Sequence, residues 1–274
     1  MSNPRPIAGR TVCVTGSSSG MGRAIAEHLG SMGAAVYLMG RNAEPMEESK
    51  AIIEAAGGTA DVSAFDITDT AALQAWIQRA ADETGRLDVM VNNAGFGDFG
   101  TSFLDGDPES WKGMLDVNVL ALAVGSQAAV KAMRATDSEG HIINISSLAA
   151  RRRDTGVYGA TKHAVNTITA TLRNELEDDT IRVTSLMPGV YATNFSRNVD
   201  DAMLGMVAGM AGVTDVERDD EGRVSREMTE TLAANLSTTF GDVQDIARTV
   251  EFIVTQPIEL NLEEIVIRPQ KSFI

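Results

Sequence analysis

Short apolar runs rich in β-branched residues alternate with longer segments of helical periodicity through residue 190 of the chain. The runs with strand character are 11–16, 34–40, 61–66, 87–95, 141–147 and 181–189. The helical segments are 21–33, 45–56, 70–84, a long one that Asp107 can cap and whose first turn contains Pro108, and one over about 155–178. Strands and helices at this spacing form right-handed βαβ units, with helices on both faces of a parallel sheet. The pattern therefore predicts an α/β fold, a doubly wound parallel sheet of about seven strands.

The pattern loosens between residues 194 and 241, where an apolar Met/Gly/Ala piece precedes an acidic, charged run. A helix through Thr255 that Asp242 can cap, and a last strand at 263–269, follow. The sequence contains no interdomain linker and no internal repeat. We therefore predict a single domain over 1–274, with a variable segment at 197–240 inside it.

Composition and charge exclude several classes of partner. With 23 basic against 38 acidic residues the net charge is −15, so we expect neither nucleic acid nor an anionic membrane as a partner. The single cysteine, Cys13, excludes an intrachain disulfide and a cysteine-rich zinc site, and we expect no metal. The N-terminal residues lack the apolar core of a leader, and no run reaches the roughly 18 apolar residues of a membrane span. These features predict a soluble, cytoplasmic protein.

A turn rich in glycine and serine, TGSSSGMG at 15–22, joins the first strand to the first helix. Such a turn directs backbone amides and the positive end of the helix dipole at an anion, most often a phosphate. Gly16 permits the tight turn, Gly20 a close approach of the backbone, and Gly22 tight packing of helix on strand. The spacing differs from G-x-G-x-x-G, and a Ser/Gly run can be a plain turn. Its place inside a βαβ unit favours nucleotide binding.

Polar residues also follow other strands of the predicted sheet. NNAG at 92–95 ends the fourth strand, Asp66 follows the third, and Ser146-Ser147 follows the fifth. Open α/β sheets bind ligands at the carboxyl ends of their strands, near the point where the strand order reverses. We therefore expect these residues to line one rim of the sheet.

Tyr158 and Lys162 are four residues apart in YGATK, within a predicted helix, so they share one face. One interpretation is an amphipathic helix with an exposed tyrosine and a solvated lysine. The other is an acid/base pair. In that case an ammonium about 5 Å away favours the phenolate by roughly 3 kcal/mol and lowers the tyrosine pKa by about two units.

The motifs occur together and in one order: TGSSSGMG, NNAG, Asn118 in LDVNVLA, ISS at 145–147, YGATK and PGVYAT at 188–193. In this combination the chain resembles the short-chain dehydrogenase/reductase family, in its compact single-domain branch, over about residues 8–195. The resemblance implies a Rossmann fold and an oxidoreductase that transfers a hydride between a nicotinamide cofactor and a secondary alcohol or its ketone. It also implies a homotetramer or homodimer, with contacts through the helices at 108–135 and 155–178.

The resemblance implies roles for four residues. Tyr158 is the acid/base, Lys162 also binds the ribose hydroxyls of the nicotinamide nucleotide, and Ser147 holds the substrate carbonyl. Asn118 completes the set by holding a water in a proton relay to Lys162. The loop from Ser147 to Tyr158 is about two residues shorter than is usual in the family, which keeps Ser146 as an alternative to Ser147.

The expected cofactor is NADP(H), with NAD(H) as the alternative. The second strand ends in YLMGRN, with Gly40 and Arg41 where an NAD site normally has an acidic residue. Gly40 leaves space, and Arg41 can bind a 2′-phosphate through charge-assisted hydrogen bonds. The cofactor-binding residues implied by the resemblance are Gly16, Ser18, Ser19, Gly20, Met21, Gly22, Arg41, Asp66, Ile67, Asn93, Ala94, Gly95, Tyr158, Lys162, Pro188, Gly189, Val190 and Thr193.

Three features concern the substrate. The consecutive arginines 151–153 either clamp an anionic substrate, or orient their loop or pair across subunits. Phe96, the turn at 189–191 and the stretch 203–210 are expected to shape an apolar pocket. We expect the variable segment 197–240 to be a mobile lid that closes over the substrate.

Two other functions stay open. One is an epimerase or lyase of the same superfamily, which also uses Tyr-x-x-x-Lys but generally has a longer chain and a different glycine spacing. The other is a nucleotide-sensing binding protein that has lost catalysis. The presence of Asn118, Ser147, Tyr158 and Lys162 together argues against this second alternative.

Overall fold

The structure is a computed structural model, which describes residues 5–97, 102–191, 193, 201–219 and 222–271. Its centre is a parallel sheet of seven strands, in the order β3-β2-β1-β4-β5-β6-β7. The strands are β1 (Thr11–Thr15), β2 (Ala35–Gly40), β3 (Thr59–Ala64), β4 (Val89–Asn92), β5 (Gly140–Ile145), β6 (Ile181–Pro188) and β7 (Glu264–Ile267). The helices are α1 (Gly20–Ser31), α2 (Ala43–Ala55), α3 (Thr70–Thr84), α4 (Pro108–Leu115), α5 (Leu122–Ala135), α6 (Gly156–Glu175), α7 (Asp201–Ala211), α8 (Arg226–Asn235) and α9 (Val243–Thr255). The predicted doubly wound parallel sheet is confirmed.

The order of the strands reverses beside β1. The chain proceeds outward through β2 and β3, then crosses back to pair β4 with the other edge of β1, where Val12 lies beside Val89. The connections on the two sides of this point leave in opposite directions, so a crevice opens at the carboxyl ends of β1 and β4. The segments that follow these two strands begin at Gly16 and Asn93.

Two apolar clusters hold helices against the two faces of the sheet. Val12 and Val14 belong to the cluster beneath α1, α2 and α9. Cys13 and Met90 belong to the cluster beneath α3 and α5. Successive residues of a strand point to opposite faces, so a strand covered on both sides is apolar at nearly every position. β1 is accordingly buried along its whole length, which fixes the position of the turn that follows it.

Side-chain caps begin two helices where the sequence predicts them. Asp107 accepts hydrogen bonds from the amides of Glu109 at 3.1 Å and Ser110 at 3.3 Å at the start of α4. Asp242 accepts one from the amide of Gln244 at 2.9 Å at the start of α9. Each carboxylate satisfies first-turn amides that have no partner within the helix.

The long helix expected after Asp107 is interrupted. A π-helical turn, Asp116–Ala121, separates α4 from α5. Turns of this kind are rare and often lie at functional sites. This one contains Asn118, whose side-chain contacts are described below.

Taken together, Pro108–Ala135 is long and apolar enough to cross a membrane by length and composition alone, with a mean hydropathy of 1.4 in its most apolar window. One such helix is weak evidence for a span. Ala121, Ala129 and Met133 of this run pack in the cluster beneath α3 and α5, which accounts for its apolar character.

In the described part of the variable segment, α7 and α8 are helical, and α7 coincides with the apolar piece of the sequence. Leu204 and Ala208 of α7 pack with Val224 and with Leu232 of α8 in a small apolar cluster. Residues 197–200 and 220–221 of the segment lie outside the described residues. That the segment moves as a lid stays a prediction.

Candidate active site

The glycine-rich turn after β1 is shaped so that backbone, not side chains, lies at the crevice. Gly16 and Gly20 have φ angles of 67° and 56°, a region that favours glycine. A Cβ at Gly16 would lie 2.9 Å from the Cα of Ala94, and a Cβ at Gly22 would collide with the Asn93 side chain. Ser19, in the N-cap position of α1, makes no capping hydrogen bond through its side chain. The first amides of α1 are therefore available to an anion.

The turn is joined to the segment after β4 by hydrogen bonds. The hydroxyl oxygen of Thr15 accepts from the amides of Asn93 and Ala94, both at 3.0 Å. The side chain of Asn93 donates in return to the carbonyls of Thr15 at 2.9 Å and Gly16 at 3.2 Å. These hydrogen bonds hold the two loops rigidly together at the point where the strand order reverses. Thr15 was not singled out from the sequence, since a threonine at a strand end is unremarkable without its partners.

Asn92, in contrast, does not reach the rim. Its side chain is buried and donates to Ser126 at 3.0 Å and to Asn144 at 2.8 Å. Asn144 in turn donates to Thr169 of α6 at 3.0 Å. This polar chain ties β4, α5, β5 and α6 together beneath the candidate site, and we assign it a structural role.

Tyr158 and Lys162 lie on one buried face of α6, and the exposed-tyrosine interpretation is wrong. Tyr158 is 7% exposed and Lys162 is 4% exposed. The ammonium nitrogen of Lys162 lies 5.8 Å from the centroid of the Tyr158 ring and donates to the carbonyl of Ile145 at 2.9 Å. A Cβ at Gly95 would lie 3.5 Å from the same nitrogen, so the pair adjoins the segment after β4.

Burial controls the titration of both groups. It raises the pKa of Tyr158 to about 12, an effect that a hydrogen bond with Ser147 opposes. It lowers the pKa of Lys162 to about 8. The tyrosine pKa thus shifts opposite to the expected direction, because loss of water outweighs an ammonium that is hydrogen-bonded elsewhere. At neutral pH the tyrosine holds its proton and most of the lysine is charged.

The two serines after β5 point to different surroundings. Ser147 hydrogen-bonds Tyr158, and its hydroxyl oxygen also accepts from the Ala149 amide at 3.1 Å. Ser146 is buried, and its hydroxyl donates to the carbonyl of Lys162 at 3.3 Å. Only Ser147 of this pair is therefore placed to reach a group bound beside the tyrosine.

The side chain of Asn118 extends from the π-helical turn to the segment after β4 and to α6. Its side-chain oxygen accepts from the Phe96 amide at 3.0 Å, and its nitrogen donates to the Phe96 carbonyl at 2.8 Å and to the Thr161 hydroxyl at 3.1 Å. It thereby joins the segment after β4 to the helix that carries Tyr158 and Lys162. Thr161 is a second residue that sequence reasoning missed, because its function depends on a partner 43 residues away.

The end of β2 is closely packed at Gly40, which was expected to leave space, and a positive charge lies beside it. A Cβ at Gly40 would lie 3.2 Å from the hydroxyl of Ser18, so the side of the glycine-rich turn is close by. Arg41 is exposed. Two hydrogen bonds from Thr68 are the main reason that the pKa of Asp66 lies below its ordinary value, and the charge of Arg41 adds to this effect. Ile67, the next expected residue, is buried in the cluster beneath α3 and α5.

The segment after β6 is held by β7 and by the residues before α9, and it approaches the glycine-rich turn. The Gly189 amide donates to the Ile267 carbonyl at 2.8 Å, and the Val190 carbonyl accepts from the Gly241 amide at 3.0 Å. Thr193 approaches the glycine-rich turn, since a Cβ at Gly20 would lie 3.0 Å from its side chain.

Tyr191 was expected to line the substrate pocket, and that expectation is wrong. Its ring is buried in the cluster beneath α1, α2 and α9 and covers Gly241, where a Cβ would collide with it. Met203, in the other part of the expected pocket, has no described side chain.

Two of the three arginines after Ser147 form ion pairs within the chain. Arg151 pairs with Glu264 at 2.8 Å and Arg152 with Asp154 at 2.6 Å. These contacts favour the interpretation that the arginines orient their loop.

Comparison with known proteins shows which family shares this fold and these motifs. The family model described as short chain dehydrogenase matches residues 10–204. This match includes the glycine-rich turn, the segment after β4 and the Tyr158–Lys162 pair. The chain belongs to the short-chain dehydrogenase family of oxidoreductases.

Similar proteins span almost the whole chain. An uncharacterized oxidoreductase of Staphylococcus epidermidis is 31% identical over 262 residues, covering 95% of this chain and 97% of that protein. A solved metagenomic short-chain oxidoreductase in complex with NADP is 30% identical, with a TM-score of 0.73 and coverage of 96% and 98%. A short chain dehydrogenase from Burkholderia cenocepacia, also in complex with NADP, is 29% identical, with a TM-score of 0.76 and the same coverage.

Replacing Lys162 with methionine is expected to stabilise the cofactor-free protein at pH 7. The folded-state pKa of Lys162 is depressed from 10.5 to about 8. The unfolded chain therefore binds the proton more tightly, and burial of the charge costs up to about 3 kcal/mol below pH 8. The methionine leaves the Ile145 carbonyl without its hydrogen-bond donor, and this loss reduces the gain in stability by about 1 kcal/mol. Thermal unfolding should show a higher midpoint for Lys162→Met at pH 7, and the advantage should disappear between pH 8 and 10.5. A pH-independent loss of stability would contradict this account.

Proposed function

We propose that the protein is an NADP(H)-preferring oxidoreductase that interconverts a secondary alcohol and its ketone, with aldehydes as further substrates. The observation that carries the proposal is the group formed by buried Tyr158 and Lys162 with the partly exposed Ser147. It lies at the carboxyl edge of the sheet, beside a glycine-rich turn that a Cβ would obstruct. A proton donor and a nucleotide-binding turn are thus brought to one place, as reduction of a carbonyl requires.

The glycine-rich turn would bind a dinucleotide mainly through its backbone amides. Gly16, Gly20 and Gly22 let the turn pack closely against Ala94, Thr193 and Asn93, and the uncapped amides at the start of α1 would donate to a pyrophosphate. The other proposed cofactor-binding residues are Ser18, Ser19, Met21, Arg41, Asp66, Ile67, Asn93, Ala94, Gly95, Tyr158, Lys162, Pro188, Gly189, Val190 and Thr193. When bound, the reduced nicotinamide supplies the hydride that adds to the carbonyl carbon.

Residues of the chain bind the carbonyl oxygen and supply the proton that it receives. The Ser147 hydroxyl donates a hydrogen bond to the carbonyl oxygen and holds it beside Tyr158. As negative charge develops on that oxygen, the phenol of Tyr158 transfers its proton there, which completes the alcohol. The charge of Lys162 stabilises the resulting phenolate. Asn118 keeps the segment after β4 in contact with α6 through its hydrogen bonds to Phe96 and Thr161. In the oxidative direction each transfer is reversed.

The pKa directions favour reduction near neutrality. A tyrosine with a pKa of about 12 keeps the proton that it must donate. Lys162 is mostly charged below a pKa of about 8, so its support for the phenolate weakens as the pH rises through that value.

Neither rival function has an observation in its favour. A nucleotide-sensing protein without catalysis would not need a buried lysine, which carries a cost in stability. An epimerase or lyase shares the tyrosine and lysine, and turnover of simple ketones with NADPH would distinguish an oxidoreductase from it. A cytoplasmic location and a homotetramer or homodimer remain part of the proposal, as does a single domain with a lid at 197–240.

Replacing Tyr158 with phenylalanine is expected to abolish carbonyl reduction at neutral pH and to weaken NADPH binding only slightly, because the uncharged phenol is one of many proposed contacts to the dinucleotide. Turnover of a ketone panel and NADPH fluorescence titration measure the two effects. Tyr191→Phe is the matched control, since that tyrosine is also buried and also has a pKa of about 12. Substantial turnover by Tyr158→Phe would exclude the proposed proton donor.

Replacing Arg41 with alanine is expected to raise the Michaelis constant for NADPH by roughly 10- to 100-fold and to change that for NADH little. The reason is that the guanidinium binds the 2′-phosphate, which only NADP(H) carries. Arg23→Ala is the control, because Arg23 is engaged with Glu27 and Glu48. A wild-type preference for NADH, or equal loss of both cofactors in Arg41→Ala, would remove this role.

The lid proposal predicts a change in hydrogen exchange. Amides of α7 and α8 should exchange fast in the free protein and more slowly with NADPH and a ketone bound, because closure excludes water. The helix α3 provides the internal reference, since it packs in the main core. Equal protection of α7 and α8 in both samples would mean that the segment is not a lid.

A further inference from the structure

The loop between Ser147 and Tyr158 is closed by a hydrogen bond that neither the proposed mechanism nor the glycine-rich turn uses. Thr155 occupies the N-cap position of α6, but its side chain makes no capping bond. Its hydroxyl instead donates to the carbonyl of Ala149 at 3.2 Å. An N-cap threonine normally accepts a hydrogen bond from the first turn of its helix, so this hydroxyl has been diverted to the loop.

The bond completes a ring that returns to the tyrosine. Ser147 hydrogen-bonds Tyr158 and accepts from the amide of Ala149 at 3.1 Å. The carbonyl of Ala149 accepts from Thr155, and the carbonyl of Thr155 accepts from the Gly159 amide at 2.9 Å, one residue beyond Tyr158. Each link is a short contact between neighbours, so the ring fixes the distance between the serine and the tyrosine.

Gly159 is a part of this ring. A Cβ at Gly159 would overlap the Thr155 hydroxyl and crowd the Cβ of Thr155 at 2.7 Å. The next atom in its vicinity is the Ala149 carbonyl oxygen, at an ordinary 3.6 Å. The glycine after Tyr158 is therefore required by the side chain of Thr155, not by the approach of a substrate.

A second contact ties the same loop to α6. The Nε2 atom of His163, which follows Lys162, lies 2.7 Å from the carbonyl oxygen of Arg152 and so donates to it. The amide of Arg152 donates to the Ala149 carbonyl at 3.2 Å. The loop is thus held to α6 both at Ala149 and at Arg152.

We propose that Thr155 is a positioning residue, which with Gly159 sets the separation of Ser147 and Tyr158. This inference rests on the proposed function, in which those two side chains hold and protonate a carbonyl. A small increase in their separation weakens the alignment of the reacting oxygen with the phenol, and errors of this size reduce turnover steeply. Binding of the dinucleotide is expected to be unaffected, since the ring does not include the glycine-rich turn.

The first test compares Thr155→Val, which keeps the shape and removes the hydroxyl, with Thr155→Ser, which keeps the hydroxyl. For a ketone that the wild-type protein reduces, kcat of Thr155→Val should fall about tenfold. The dissociation constant for NADPH should stay within about twofold, and Thr155→Ser should restore most of kcat. An unchanged kcat in Thr155→Val, or no rescue by serine, would overturn the proposal.

A second pair of variants tests the glycine. Gly159→Ala should lower kcat because its methyl group displaces Thr155. The same change in a Thr155→Gly background should cost little further, since the overlapping atoms are gone. Additive losses in the double variant would show that Gly159 acts independently of Thr155 and would overturn its part in the proposal.

A readout without turnover separates this proposal from the proposed function. The chain has three tyrosines, so 3-fluorotyrosine labelling gives three fluorine signals, and loss of one in Tyr158→Phe assigns it. Thr155→Val should shift and broaden the Tyr158 signal, whereas Thr155→Ser should not. An unchanged signal would overturn the positioning role. If Tyr158→Phe still reduces the ketone, or the wild-type protein reduces none, the proposed function fails, and the fluorine signals still decide whether Thr155 positions Tyr158.

Discussion

A buried ammonium is the constraint on which the rest of the site depends. Lys162 has lost nearly all contact with water, and the carbonyl of Ile145 receives one of its hydrogen bonds. Such a charge lowers stability, and it can be held only where its surroundings are polar and fixed. Those surroundings come from three places in the chain: the end of β5, the segment after β4, and α6 itself. The site is therefore stable only when the sheet is complete.

Hydrogen bonds between loops hold the polar surroundings of Lys162 in place. Thr15 and Asn93 join the two loops at the reversal of strand order. Asn118 joins the segment after β4 to α6 through Phe96 and Thr161. Loops with so many internal hydrogen bonds resist distortion when a ligand binds, so little ordering remains to be done at that moment. The same bonds explain why glycine occurs at positions where any side chain would collide with a neighbouring loop.

The chemistry that follows from this arrangement depends on burial as much as on charge. The spacing of Tyr158 and Lys162 suggested a phenol made more acidic by the ammonium. In the structure desolvation dominates, and the pKa of the phenol rises. A tyrosine that keeps its proton is suited to protonating a carbonyl oxygen. The distance between two residues on a helix is a local property, but the water excluded from them is decided by everything packed around that helix.

The sequence by itself determined the order of the elements, the doubly wound sheet, the position of the glycine-rich turn and the caps at Asp107 and Asp242. These follow from local periodicity and from rules on connections between parallel strands, which act over short stretches of chain. Only the tertiary structure decided that Ser147 and not Ser146 adjoins the tyrosine, that Tyr191 belongs to the core, and that a π-helical turn carries Asn118. Each of these depends on which side chain meets a partner far away in the sequence. A one-dimensional pattern does not contain that information, because packing and hydrogen bonding across the sheet select it.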